Sequence, residues 1–414
     1  MNKDNKIVPE LRFPEFQNNG EWKKKKLGDF SELITKKTGT KKYKLLSVTA
    51  GVGLVSQMEK FGREIAGESY KNYYVIQNGD FAYNKSSVKV HPEGQIALLE
   101  NEESGAVPNS IFTCFRVDKD VILPTYLKYP FENNIHGIWL RNFIAIGARA
   151  NGALNVDNKH LLSLPVPIPS LAEQQKIASC LSSLDELIAA QTKKLEVLKD
   201  HKKGLMQQLF PAEGETVPQV RFKEFENDGE WVETILDIVA DYENGKAHEN
   251  DIVEAGKYIL VNSKFISTDG EVRKFTDSPF CLASKDDILM VLSDVPNGRA
   301  IAKCFIVDKD ELYTVNQRIC KLTPKGVVGI MLYYTLNRHP YLLSFDDGVK
   351  QTNLRKEDVL NCPIVLPKNP DEQKQIANVL ISIDEQINTQ ASKIDELKEH
   401  KRGLMQGLFP NITE

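Results

Sequence analysis

Apolar residues step by four and three along two long stretches of this chain. In the first they are Ile177, Leu181, Leu184, Ile188, Leu195, Leu198, Leu205 and Leu209, with Gln191 and Lys202 in the two polar places. In the second they are Ile376, Leu380, Ile383, Ile387, Ile394, Leu397, Leu404 and Leu408, with Gln390 and Lys401 in the same two places. A seam of this period, sustained over about five heptads, predicts two long helices that pair as a coiled coil. Ser170-Leu171-Ala172-Glu173 reads as a capping box at the start of the first helix. Asn369-Pro370-Asp371-Glu372 does the same at the second, with proline at the first helical position. A parallel pair would set Lys202 beside Lys401 in a desolvated seam, so an antiparallel pair is expected. Gln191 would then face Gln390, and each lysine would reach water near the far end of its partner.

Ahead of each helix the pattern shortens to β-rich runs bounded by turn residues. In the first block these are Lys44–Val48, Tyr73–Ile76, Gln95–Leu99 and Ile111–Phe115; in the second, Tyr258–Val261, Asp287–Val291 and Ala300–Ala302. Segments 125–131 and 329–338 read as helical. The expected class is α/β: two mixed α/β domains with largely antiparallel or mixed sheets, joined by two long helices. The blocks are framed by repeats. Val8-Pro9-Glu10-Leu11-Arg12-Phe13 and Gly20-Glu21-Trp22 return as Val217-Pro218-Gln219-Val220-Arg221-Phe222 and Gly229-Glu230-Trp231. Gly204-Leu205-Met206-Gln207 returns as Gly403-Leu404-Met405-Gln406. Five segments follow: a first block 1–168, a helix 169–210, a linker 211–216, a second block 217–368, and a helix with tail 369–414. Matched framework around unmatched blocks predicts a pseudo-twofold molecule whose two modules see different things.

Composition narrows the function. No run of about 18 apolar residues exists, and the first residues lack the apolar stretch of a signal peptide, so no membrane partner and a cytoplasmic location are expected. Six cysteines (Cys114, Cys180, Cys281, Cys304, Cys320, Cys362) form no CxxC pair and read as buried thiols in a reducing compartment. Net charge is −4, but it is unevenly spread: 23 basic and 18 acidic residues over 1–168, against 19 and 26 over 212–368. Phosphate-loop, HExxH and GxSxG patterns are all lacking, so no catalytic residue, metal ligand or resident cofactor is expected. Candidate nucleic-acid contacts are the basic loop Lys36, Lys37, Lys41, Lys42 and Lys44, and the polar tips Asn84-Lys85-Ser86, Arg149, Asn262 and Lys264, and Asn297 and Arg299.

Three further matches point to a family. Leu164-Pro165-Val166-Pro167-Ile168-Pro169 leads to Glu173-Gln174-Gln175-Lys176-Ile177-Ala178, and Cys362-Pro363-Ile364-Val365-Leu366-Pro367 leads to Glu372-Gln373-Lys374-Gln375-Ile376-Ala377. Leu184-Asp185-Glu186 pairs with Ile383-Asp384-Glu385, and Asn155-Val156 with Asn353-Leu354. Over essentially its whole length the chain resembles the specificity subunit of type I restriction-modification systems. That resemblance implies two target-recognition domains, each reading half of a bipartite, asymmetric site in double-stranded DNA, with the helices as a ruler. It also implies two methyltransferase subunits and restriction/translocase subunits as partners, which would hold the S-adenosylmethionine, ATP and Mg. A helix of about 37 residues spans about 55 Å, comparable to roughly 16 base pairs. The competing reading is a coiled-coil interaction scaffold carrying two unlike binding domains.

Overall fold

The computed structural model describes residues 7–49, 52–64, 66–86, 91–144, 154–248, 250–295 and 298–410. It divides into two compact units, one of residues 1–192 with 392–414 and the other of residues 193–391. The boundary therefore cuts both long helices, Leu171–Leu209 and Pro370–Leu408, each of 39 residues. No helix among the described residues is long and apolar enough to cross a membrane.

The first unit is built on a four-stranded antiparallel sheet in the order Ser31–Leu33, Phe112–Val117, Phe81–Asn84, Gln95–Leu98. Three of its strands, 112–117, 81–84 and 95–98, are largely apolar on both faces because both are covered. One face packs on helix Pro124–Glu132, where Phe81 stacks on Phe115 at 5.2 Å and Phe131 meets Phe81 edge-on at 5.4 Å. The other face, carrying Ala82, Ala97 and Cys114, meets the ladders Leu46–Thr49 with Gly53–Ser56 and Tyr74–Gln77 with Ser104–Val107.

The second unit repeats that sheet although its sequence does not. Ala240–Asn244, Ile319–Pro324, Ile288–Val291 and Cys304–Ile306 lie in the same antiparallel order, covered by helix Gly329–Leu336. A second, five-stranded sheet closes the opposite face, and within it Tyr258–Val261 pairs parallel with Tyr313–Val315. One expected strand is corrected: Ala300–Ala302 is a turn, and the strand begins at Cys304. The Asp294 carboxylate accepts the Ala300 and Ile301 amides at 2.6 and 3.2 Å, which keeps those two out of a ladder, and Ala302 sits at φ +55° where the chain turns to meet Val291.

The repeated residues build one joint twice. Lys23–Lys26 pairs antiparallel with Pro165–Ile168, and Val232–Ile235 with Pro363–Leu366, so each block is closed at its own beginning and end. Arg12 donates to both oxygens of Glu173 at 2.7 and 2.8 Å, and Trp22 Nε1 donates to the same carboxylate at 3.2 Å. Arg221, Glu372 and Trp231 reproduce these three distances. This revises the expected capping boxes. Ser170 and Asn369 do cap, accepting the amides of Glu173 and Asp371. The carboxylates, however, turn inward, because a buried arginine offers a charge-assisted fork that an exposed amide cannot match. Gln174 and Gln373 add a second latch. Gln174 binds Leu123 N, Val121 O and Pro169 O, and Gln373 binds Val328 N and Pro367 O.

Within each unit the helix segments run antiparallel. In the first, Ile177 and Leu181 share a core with Met405, Leu408 and Phe409, while Lys401 lies at Asp185. In the second, Leu205 and Leu209 pack with Ile376 and Leu380, while Lys202 lies at Asp384. The seam is the less exposed stripe of each helix. Ile177, Leu181, Ile376, Leu380, Ile383, Gln390 and Ile394 are buried; Leu184, Ile188, Gln191, Leu195, Leu198, Ile387 and Leu397 are half-buried. The lysines depart from expectation, because they are paired rather than extended into water. Lys202 binds Asp384 at 2.6 Å over the Tyr334 ring, whose hydroxyl donates to Asp384 at 2.8 Å. Lys401 binds Asp185 at 2.6 Å and Glu132 at 2.9 Å over the Tyr129 ring, whose hydroxyl donates to Asp185 at 3.0 Å. Burial alone would lower the Lys401 pKa, yet Glu132 and Asp185 more than offset it and hold the ammonium.

Candidate nucleic-acid interface

The basic loop of the first unit is held from beneath. The Thr38 hydroxyl donates to Tyr70 O at 2.5 Å, and Tyr70 Oη accepts the Tyr43 amide while donating to Lys41 O. Lys36, Lys37, Lys41 and Lys42 are exposed on this fixed backbone. Lys44 is committed to Glu102, which leaves it a weaker candidate for phosphate. Such a loop can place several ammonium groups without ordering its backbone anew.

A second group lies where the sheet strand Phe81–Asn84 ends. Asn84 Oδ1 accepts the Ser86 amide at 3.0 Å, so this amide shapes the loop. Lys85 is half-buried beside Thr35, Thr113 and Asn158, and that burial lowers its pKa. The far end of the loop is anchored. Arg141 binds Glu93, Tyr83 Oη donates to Glu93 O, and His136 Nε2 meets Gly94 O at 3.2 Å. Arg149 lies outside the described residues.

In the second unit Arg299 falls in the loop after Ile288–Val291, the strand that corresponds in sheet position to Phe81–Asn84. Asn84, Lys85 and Ser86 in the first unit and Arg299 in the second thus lie at or after equivalent strands. Asn297 itself is outside the described residues. Arg299 is exposed, and its carbonyl accepts from Arg338 at 2.5 Å. Asn262 and Lys264 sit elsewhere: Asn262 Oδ1 caps the short helix Ser263–Ser267 through the Phe265 amide, and Lys264 is exposed on that helix.

Some structure-bearing residues were not singled out in the sequence. The Arg–Glu–Trp joint and the Tyr–Asp–Lys contact join residues about 50 to 270 positions apart, and only the recurrence of each member hinted at them. Gln351 and Arg355 were also missed; with Asn353 they are exposed, while Thr352 and Leu354 are buried. That alternation is a period-two signal, too short to stand out among loop residues.

Comparison with known proteins follows the same lines. The model of the type I restriction modification DNA specificity domain matches twice, over residues 19–200 and 228–399. The type I restriction enzyme MjaVIII specificity subunit of Methanocaldococcus jannaschii is 25% identical over 425 residues, covering 95% of this chain and 92% of that one. The putative MjaX specificity subunit of the same organism is 24% identical, covering 83% and 80%. Among solved structures, the type I restriction-modification S subunit from M. genitalium superposes with a TM-score of 0.61 at 15% identity, covering 98% of this chain and all of that one. A chain from a study of complex assembly and conformational transition in a type I R-M system gives 0.54 at 17% identity, covering 94% and 98%. At these identities the solved structures speak for the fold.

Proposed function

The chain belongs to the type I restriction-modification DNA specificity family, and from that premise we propose that each unit reads one half of a bipartite, asymmetric DNA site. The observation that carries this reading is one sheet order and one buried joint repeated around unlike surfaces. A repeated frame suits two copies of one kind of partner, and unlike surfaces suit two unlike half-sites. The partners are two methyltransferase subunits, with restriction/translocase subunits joining them; S-adenosylmethionine, ATP and Mg belong to those chains. This subunit supplies the address and carries no catalytic group of its own. It acts in the cytoplasm, where duplex DNA is accessible. The excess of 26 acidic over 19 basic residues in 212–368 implies that the isolated subunit binds DNA poorly. Partners closing around the duplex supply the missing phosphate contacts.

The test is genome-wide adenine methylation in cells with and without the gene, and after exchange of residues 24–153 for the corresponding block of another family member. Loss of one bipartite motif without the gene, and a change in one half of that motif after the exchange, are expected. A change in both halves would refute one block per half-site. A protein scaffold would leave methylation untouched.

A further inference from the structure

Resting on that reading, we propose that the second unit enters the major groove with the ladder Ser293–Asp294 and Thr352–Asn353, and that Gln351 and Arg355 on its outer face read bases. This antiparallel pair stands apart from both sheets of the unit. A major groove about 12 Å wide admits such a two-stranded ribbon. Along the returning strand Thr352 and Leu354 are buried, so Gln351, Asn353 and Arg355 project together on the opposite, exposed face. Glutamine and asparagine can bind the adenine edge bidentately, and arginine the guanine edge.

The ribbon is already ordered. The Asp294 carboxylate gathers the amides of Val295, Ala300 and Ile301. Gln351 Nε2 donates to Ser293 Oγ at 2.8 Å, and Leu354 N donates to Leu292 O at 2.8 Å. A reader fixed before binding loses little conformational entropy on docking.

Arg299, Lys350 and Arg355 lie on or beside these segments, Arg338 donates to the Arg299 carbonyl, and among the described residues none of the four forms a salt bridge. The neighbouring carboxylates are used by the backbone: Asp347 accepts the Val349 and Lys350 amides, Asp346 the Gly348 amide and the Thr352 hydroxyl, and Asp358 the Arg355 amide. The edge thus carries cations outside any salt bridge, beside carboxylates that are held in their own loops. The first unit has a related arrangement, with Leu154 N donating to Lys85 O at 2.8 Å. Counted back from Pro165 and Pro363, Asn353 corresponds to Asn155, but Arg355 corresponds to Asp157. The face differs where two half-sites must differ.

The geometry sets a distance. Four residues of extended chain between Gln351 and Arg355 span about 13 Å, or about four base pairs. The test is selection from a randomised duplex library by the full chain assembled with its methyltransferase partner. Gln351→Ala and Arg355→Ala should each erase preference at one base pair by roughly tenfold or more. The two positions should lie about four base pairs apart in the same half-site, with the other half-site unchanged. Gln351→Glu, similar in size and still exposed, should move that preference from adenine toward cytosine. An unchanged consensus, or a uniform loss of affinity with a shallower salt slope, would overturn base reading by this face. A wild-type complex that selects no sequence would overturn the functional reading itself, and this proposal with it.

Discussion

Replacing Glu173 by alanine tests the joint on which each unit is built. The Glu173 side chain is 1% exposed and holds Arg12, whose own side chain is 8% exposed, by two hydrogen bonds. It also accepts from Trp22 Nε1. Among the described residues, the substitution leaves the guanidinium charge only the Gly20 carbonyl as a remaining partner, and the indole N–H without an acceptor. Removing one member of a buried pair costs about 3–5 kcal/mol, more than the net worth of the pair, because the stranded charge stays desolvated. Glu173→Gln keeps a carbonyl for Trp22 and should cost less, about 1.5–3 kcal/mol. Arg12→Met with Glu173→Leu removes both charges and should recover most of the loss. The assay is urea unfolding followed by peptide-resolved hydrogen exchange, which separates the two units. The loss should appear in residues 1–192 and spare 193–391, whereas Glu372→Ala should do the reverse. A loss below about 1 kcal/mol, or a double variant no better than Glu173→Ala, would refute the reasoning.

Three other outcomes follow from the same structure. Tyr129→Phe and Tyr334→Phe each remove a hydroxyl from a lysine-bound aspartate and should cost about 1 kcal/mol in their own unit, read as a lower urea midpoint. His136 is 1% exposed, and burial holds its pKa down at about 4, against 6.5 when free. Its contribution is therefore fully present above pH 6.5 and is lost as pH falls toward 4, by roughly 3 kcal/mol; His136→Gln should flatten the pH dependence of first-unit stability in that window. Gly94 lies at φ +81°, and a Cβ there would stand 2.3 Å from the Asn84 carbonyl oxygen, so Gly94→Ala should destabilise the first unit by at least about 2 kcal/mol on thermal unfolding.

The chain by itself determined the helices, because a four-three seam over many turns is local information repeated many times. Ile177 through Leu209 and Ile376 through Leu408 were legible for that reason, and so was their antiparallel pairing, which a Lys202–Lys401 clash demanded. The family was legible from motifs that occur twice in order. Tertiary structure alone decided the rest. Glu173 and Glu372 look like capping residues until Arg12 and Arg221, far away in sequence, take their carboxylates. Ala300–Ala302 looks like a strand until the Asp294 side chain takes its amides. The common sheet of the two blocks has no common sequence, since burial asks only for apolar side chains of fitting volume and leaves their identity free. Surface readers are the least legible of all. Their residue types follow from an outside partner, so only the exposed alternation at Gln351, Asn353 and Arg355, seen once the ladder is formed, brings them together.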